Sequence, residues 1–161
     1  MAKVYLGLGS NLDDRRNHIE LALNALKKEE IDVLRISSII ETEAEGNPHQ
    51  PQFLNAVCEA ETNLSPIDLL SKLKKIERKL GRPREHEKNS PRTIDIDILT
   101  FDDLLLKGKT LIIPHPKLHR RYFVLCGLNE LAPQLFIPKH EKTVSQLLSE
   151  LKNSHADNQE Y

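Results

Sequence analysis

A strictly alternating segment, Thr-Ile-Asp-Ile-Asp-Ile-Leu at residues 93–99, restricts the fold more than any other feature of the sequence. Successive side chains of a β-strand point to opposite faces of the sheet. The isoleucines therefore share one face, and Thr93, Asp95 and Asp97 share the other. This alternation is typical of a half-buried strand. We predict a sheet with an apolar core on one face and two carboxylates on the other.

The rest of the chain predicts the partners of this strand in the order βαββαβ. Apolar and β-branched runs favour strands over residues 4–10, 31–42 and 53–62. Apolar residues at helical spacing favour helices over 13–28 and 65–80, the second with Ser65 as N-cap and Gly81 as its stop. A hairpin over 104–113 and helices over 118–131 and 143–151 follow. The pattern predicts an α+β fold with helices on a mostly antiparallel sheet.

Composition limits the class of protein. The chain has 161 residues, of which 39% are hydrophobic and 29% charged, which predicts one globular domain. We place that domain at residues 1–152 and expect a polar, frayed tail at 153–161. A net charge of −1 disfavours bulk nucleic-acid binding, and neither a membrane span nor a signal peptide is evident. We expect a cytoplasmic monomer with no nucleic-acid or membrane partner.

Asp95 and Asp97, here called the acidic pair, are the strongest candidates for chemistry. Two adjacent carboxylates repel each other unless a cation relieves them, and magnesium prefers oxygen ligands together with phosphate. An isolated Asp-x-Asp is more often an ordinary solvated strand face. Here, however, Arg82, Arg84 and Arg92 precede it, and arginine forks match phosphate oxygens. The combination predicts metal-assisted phosphoryl transfer.

Two further clusters suit a planar ligand. Phe53 and Asn55 share one strand face, where a ring can stack and a carboxamide can form paired hydrogen bonds. Residues 114–123 combine five potentially cationic side chains with two aromatic ones. Taken alone, the cluster at Phe53 and Asn55 is typical of a half-buried strand, and the cluster at 114–123 is typical of an exposed helix start. They indicate a binding site only in combination with the acidic pair and the arginines.

Three other sequence features give weaker evidence about function. Gly7 and Gly9 lack the third glycine of a dinucleotide-binding fingerprint, because position 12 is leucine, and we expect a tight turn there. The Gly-Lys-Thr at 108–110 lacks the earlier glycine of a P-loop and predicts a hairpin turn. Cys58 and Cys126 lie among apolar residues, which favours buried packing over nucleophilic chemistry.

In order and spacing, these segments resemble the 6-hydroxymethyl-7,8-dihydropterin pyrophosphokinases of folate biosynthesis. The resemblance extends from about Val4 to about Pro133. It is carried by the segments Gly7–Leu12, Gln50–Ala56, Gly81–Arg82, Pro91–Ile98, Pro114–Pro116 and Arg121–Leu125. It implies a ferredoxin-like α+β sandwich that transfers pyrophosphate from ATP to the hydroxymethyl oxygen of the pterin and releases AMP.

The resemblance also implies roles for single residues. Asp95 and Asp97 would hold two Mg²⁺ ions, and with Arg82 and Arg92, which would close on the phosphates, they form the implied catalytic set. The implied pterin-binding residues are Thr42, Phe53, Asn55, Asp95 and Phe123. The implied ATP-binding residues are Lys74, Glu77, Arg84, Arg92, Ile98, His115 and Arg121. Loops 43–52 and 82–91 would act as lids that exclude water.

The sequence departs from well-known members at a few positions. Lys74 replaces a common glutamine, and Asn89 stands where an aromatic residue often packs over the substrate. Cys126 and Gly127 stand where a proline is usual. None of these changes removes a carboxylate or a loop arginine, so we expect an active enzyme.

Two alternatives are open from the residues alone. A ferredoxin-like RNA-binding module would use sheet aromatics and the basic residues at 115–121, although sheet aromatics are scarce and the charge is balanced. A nucleotidyltransferase would use the same acidic pair and release pyrophosphate instead of AMP. The products formed from ATP separate all three hypotheses.

Overall fold

The structure is a computed structural model and describes residues 1–11, 14–42, 52–81 and 94–158. Its main sheet is formed by β1 (Ala2–Ser10), β2 (Ile31–Ile36), β3 (Ile40–Thr42), β4 (Phe53–Thr62) and β5 (Asp95–Phe101). The helices are α1 (Arg15–Lys28), α2 (Pro66–Lys79), α3 (Tyr122–Leu131) and α4 (Val144–Asn158). Two short hairpins are formed by β6 (Leu106–Lys107) with β7 (Ile112–Ile113), and by β8 (Phe136–Ile137) with β9 (Lys142–Thr143).

The main sheet is antiparallel throughout, in the order β2-β4-β1-β5. Strand β3 pairs with β4 beyond the end of β2, so β2 and β3 lie one after the other along the same side of β4. Strand β5 lies at one edge of the described sheet. This arrangement confirms the predicted α+β sandwich of ferredoxin-like βαββαβ order.

Each face of the sheet has its own core. On one face, α1 and α2 pack on residues such as Leu6, Leu8 and Ile96. On the other, α3 and α4 pack on Val57 and Leu99. The predicted ends of α2 are confirmed: Ser65 Oγ accepts from the Asp68 amide at 3.2 Å, and Gly81 follows the helix with a φ of 104°. Cys58 is buried in the first core, as predicted.

The single strand predicted over 31–42 is wrong, because the structure breaks it at residues 37–39. At the break, the Ser37 amide donates to the Val57 carbonyl at 2.8 Å, while Ser37 Oγ accepts from the Val57 amide at 2.8 Å. A serine side chain competes with main-chain groups for such partners. It therefore interrupts the ladder between β2 and β3.

Two helix predictions also need correction. The helix predicted over 118–131 is a 3₁₀ turn at Leu118–Arg120 followed by α3, because Arg121 between them is extended, with a φ of −100°. The helix predicted over 143–151 is α4, which continues to Asn158. No proline or glycine stands between 144 and 158 to stop α4. No described helix has the length and apolar character of a membrane span.

A cluster around the buried Glu59 carboxylate fastens α3 to the sheet. Glu59 of β4, 5% exposed, accepts hydrogen bonds from the Tyr5 hydroxyl and from Arg35 Nη2, the latter at 2.8 Å. The same guanidinium group donates to the Leu131 carbonyl at the end of α3, at 2.6 Å. The Arg35 hydrogen bond holds the pKa of Glu59 below its usual range, so the carboxylate stays charged where it lies.

The middle of α3 lies very close to β4. A Cβ atom added to Gly127 would lie 2.5 Å from Val57 Cγ2 and 2.9 Å from Val57 Cβ. Only glycine permits this approach without a shift of α3 or Val57.

We expect Gly127→Ala to lower the thermal midpoint, because the new methyl group must displace Val57 or α3, and overpacking typically costs about 1–3 kcal/mol. Val57→Ala removes the opposing methyl groups. In the double variant the second substitution should relieve the first, so that the combined loss is smaller than the sum of the two single losses. Thermal unfolding followed by circular dichroism measures this, and strictly additive losses would contradict the contact.

Candidate active site

The acidic pair lies on the face of β5 predicted from the sequence. Ile94, Ile96 and Ile98 are 0%, 2% and 4% exposed in the core beneath α1 and α2. Asp95 and Asp97 are partly exposed and point to the opposite face, which α3 and α4 cover further along the sheet. The alternation of the sequence is therefore confirmed, and both carboxylates open to one side.

Beside the acidic pair, β1 has glycines in place of side chains. Gly9 pairs with Asp95 on one side and with Asn55 on the other. Residues paired in an antiparallel ladder point to the same face. A Cβ atom at Gly9 would lie 3.1 Å from Asn55 Oδ1 and 3.4 Å from Phe53 Cδ1. The surface of Gly9 is thus the floor of a space bounded by Asp95, Asn55 and Phe53.

The turn predicted for Gly7 and Gly9 is wrong, because both glycines lie inside β1. Their separation of two residues places them on the same face. That spacing was visible in the sequence, and it was the signal that could have identified the floor of the site.

The wall opposite Asp95 is an oriented carboxamide. Asn55 Nδ2 donates to Thr42 Oγ1 at 2.6 Å, and Thr42 of β3 pairs with Phe53 of β4. This hydrogen bond leaves Asn55 Oδ1 at the space above Gly9 as an acceptor. Phe123, in the first turn of α3, packs against the core on this same side of the sheet.

Asp97 is held among charges of both signs. His115 Nε2 and Arg121 Nη1 each lie 4.0 Å from Asp97 Oδ2. Burial and, after it, the charge of Asp95 raise the pKa of Asp97 to about 7, and Arg121 only partly opposes them. Near neutral pH the acidic pair therefore favours either a proton or a cation.

Helix α2 covers the outer edge of β5. The Ile96 amide donates to Glu77 Oε2 at 2.8 Å, and Lys74 Nζ lies 3.5 Å from Glu77 Oε1. Glu77 is 2% exposed. It therefore fixes the peptide between the two carboxylates. Because the side chain of Ile98 lies in the core, a nucleotide would meet the main chain of that residue.

Most of the implied site residues are brought together. Around the outer edge of β5 lie Lys74, Glu77, Asp95, Asp97, His115 and Arg121. On the sheet face beside them lie Thr42, Phe53 and Asn55, with Phe123 on α3 above the same face. Arg82, Arg84 and Arg92 lie outside the described residues, as do the lid predicted over 82–91 and all but Gln52 of the lid over 43–52.

The donor set fits magnesium bound together with a nucleotide. Within residues 1–11, 14–42, 52–81 and 94–158, no three His, Cys, Asp or Glu side chains converge into a metal cage. Magnesium is usually held by one or two carboxylates plus substrate phosphates, which two neighbouring carboxylates can provide. Burial and the charge of Asp95 raise the pKa of Asp97, so among the described residues a bound cation would relieve the pair.

An antiparallel α+β sheet that presents two carboxylates beside a cationic group and a wall suited to a flat ring fits a phosphotransferase with a heterocyclic substrate. Similarity to known proteins identifies the class more specifically. Residues 5–133 match the 7,8-dihydro-6-hydroxymethylpterin-pyrophosphokinase family. The chain belongs to this family, so it is an ATP-dependent pyrophosphokinase, and the resemblance drawn from its motifs is confirmed.

Curated relatives agree along most of the chain. The 2-amino-4-hydroxy-6-hydroxymethyldihydropteridine pyrophosphokinase of Aquifex aeolicus is 42% identical over 150 residues, which cover 93% of this chain and 92% of that protein. The enzyme of the same name from Bacillus subtilis is 41% identical over 132 residues, which cover 81% of this chain and 78% of that protein.

Solved structures support the fold. The Plasmodium falciparum HPPK-DHPS matches with a TM-score of 0.73 at 18% identity, covering 98% of this chain and 45% of that chain. Another HPPK-DHPS structure, in complex with substrates, gives a TM-score of 0.77 at 16% identity and covers 97% of this chain and 44% of that chain. This chain therefore spans less than half of those proteins.

We expect Asp97→Asn to stabilise the metal-free protein at pH 8. Because the pKa of Asp97 is raised from 3.8 to about 7, the native state retains a proton that the unfolded chain loses, and stability falls as the pH rises across that interval. The variant lacks this loss, so its thermal midpoint should exceed that of the wild type by about 2–4 °C for each kcal/mol of repulsion removed. The gain should shrink at pH 4.5.

The measurement is thermal unfolding in the presence of a chelator at both pH values. Asp103→Asn is the matched control, because Asp103 is an exposed aspartate just beyond the end of β5. An Asp97→Asn variant no more stable than this control at pH 8 would show that the acidic pair carries no strain.

Proposed function

We propose that this protein transfers the pyrophosphoryl group of ATP to the hydroxymethyl oxygen of 6-hydroxymethyl-7,8-dihydropterin and releases AMP, as a step of folate biosynthesis. The observation that carries the proposal is the acidic pair on one side of Gly9, with the side chains of Asn55 and Phe53 against Gly9 on the other side. Phosphate chemistry and ring recognition thereby meet on one sheet face.

The dimensions of the sheet suit this substrate. Asp95 and Asn55 lie on strands separated by β1, so their main chains are about 10 Å apart, two strand spacings. A flat bicyclic ring can lie across Gly9 between them. In this arrangement Phe53 and Phe123 stack on the ring, while Asn55, held by Thr42, accepts hydrogen bonds from its edge.

We propose that Asp95 and Asp97 hold two Mg²⁺ ions together with the ATP phosphates. There the ions would neutralise phosphate charge and lower the pKa of the attacking hydroxyl group. Glu77 keeps the peptide between the two aspartates in place, Arg121 adds positive charge on the nucleotide side, and His115 places Nε2 beside Asp97. Arg82, Arg84 and Arg92 stay predicted phosphate ligands.

We further propose that the catalytic domain comprises residues 1–152 and acts as a monomer in the cytoplasm. Its partners are then the two small-molecule substrates. The balanced net charge of −1 supports a protein that uses no nucleic acid.

The first test is product analysis. Protein incubated with MgCl₂, ATP and 6-hydroxymethyl-7,8-dihydropterin should form AMP in step with pterin consumption, because the β,γ-pyrophosphoryl group moves as a unit. Chromatography separates AMP, ADP and pyrophosphate. Release of pyrophosphate would support a nucleotidyltransferase instead, and salt-sensitive RNA binding without AMP would support the binding module.

The second test concerns the acidic pair. Asp95→Asn and Asp97→Asn should each lower kcat by about 10²- to 10⁴-fold, the loss expected when several kcal/mol of metal-dependent charge stabilisation disappears. Asp103→Asn should retain wild-type turnover. Circular dichroism must show that all three variants are folded, and near-normal rates in either acidic-pair variant would refute the metal assignment.

A further inference from the structure

Glu130 makes a two-pronged contact far along α3 from the candidate site. Its Oε2 accepts from the Ser38 amide at 2.9 Å, and its Oε1 accepts from the Ser38 hydroxyl at 2.9 Å. Glu130 is exposed in the last turn of α3, and Ser38 lies in the break between β2 and β3. The Glu130 carboxylate thus accepts hydrogen bonds from both the amide and the hydroxyl group of Ser38.

The neighbouring Ser37 is bound just as firmly to β4. Its amide and hydroxyl groups form two hydrogen bonds with the main chain of Val57, each 2.8 Å long, and its hydroxyl also donates to the Ser38 carbonyl at 3.0 Å. The break is therefore held between β4 on one side and α3 on the other. Because β3 resumes at Ile40, only two residues after Ser38, this attachment sets where β3 begins.

The position of β3 matters for Asn55. Ile40 pairs with Asn55, and Thr42 pairs with Phe53. Thr42 Oγ1 accepts from Asn55 Nδ2 at 2.6 Å, which orients the carboxamide beside Gly9. A shift of β3 would move that acceptor and release the carboxamide.

Helix α3 thus contacts the site from both ends. Phe123 lies in its first turn, and Arg121 directly before the helix lies 4.0 Å from Asp97. Its last turn holds Ser38 and, through Ser38, the start of β3. The same rigid element positions a ring-stacking side chain and the strand that orients Asn55.

We propose that Glu130 is a positioning residue for pterin binding: by holding Ser38 it fixes β3, so that Thr42 keeps the Asn55 carboxamide turned toward the ring. Glu130 touches neither substrate. The inference rests on the proposed function, because the pterin is the ligand whose binding it affects.

The test compares Glu130→Ala with Glu130→Gln. Glutamine retains an oxygen for the Ser38 amide and an NH₂ group for the Ser38 hydroxyl, whereas alanine retains neither. Glu130→Ala should raise the KM for the pterin about three- to tenfold, which lies within the range for mutations that act through a coupled network. The KM for ATP and kcat at saturating pterin should stay unchanged, and Glu130→Gln should behave like the wild type.

Glu150→Ala is the matched control. Glu150 is an exposed glutamate of α4 that accepts from Lys142 Nζ at 3.0 Å and has no part in holding β3. Its loss should leave both KM values unchanged. Calorimetric titration of 6-hydroxymethylpterin, with a non-hydrolysable ATP analogue present, measures pterin affinity independently of turnover.

An unchanged pterin KM in Glu130→Ala, or equal increases in the KM for ATP and for pterin, would overturn the positioning role. So would a Glu130→Ala variant that only loses thermal stability. Failure of the wild type to form AMP is a separate result that refutes the proposed function itself.

Discussion

The central position of β1 between β4 and β5 is the constraint on which the rest of the structure depends. Its register places Gly9 between Asn55 and Asp95 and places Gly7 between Val57 and Asp97. Because antiparallel pairing fixes which residues share a face, a slip of one residue would turn the glycines toward the core and close the floor. The register therefore decides both the packing of the isoleucines and the existence of the site.

Helix α3 is the second determinant, because it closes the same face of the sheet. Its approach is set by Gly127 against Val57, and its end is held by the Arg35 guanidinium group, which also binds the buried Glu59. Loss of the Arg35 guanidinium group would leave the buried Glu59 carboxylate without its cation, so this attachment resists displacement. A helix fixed in this way holds Phe123 on the same side of the sheet as Gly9.

The features predicted correctly from the sequence are those that follow from local periodicity and local chemistry. Alternation gave the two faces of β5, and Ser65 with Pro66 gave the start of α2. The errors arise where distant residues decide. The break at Ser37 depends on main-chain partners in β4, and the role of Gly9 depends on what lies on both neighbouring strands. Neither the break at Ser37 nor the role of Gly9 can be predicted from the residues adjacent to it in the sequence.

The acidic pair shows why such a fold retains an unfavourable charge arrangement. The strand cannot relieve the repulsion by moving, because Ile96 is buried on the apolar side and its amide is held by Glu77. Neighbouring Arg121 compensates only partly, since the pKa of Asp97 stays above its ordinary value. Among the residues that the structure describes, no other group completes this relief, which a proton or a bound cation would provide. Because β5 holds the two carboxylates in place, their unfavourable arrangement favours binding of the cations that the proposed reaction requires.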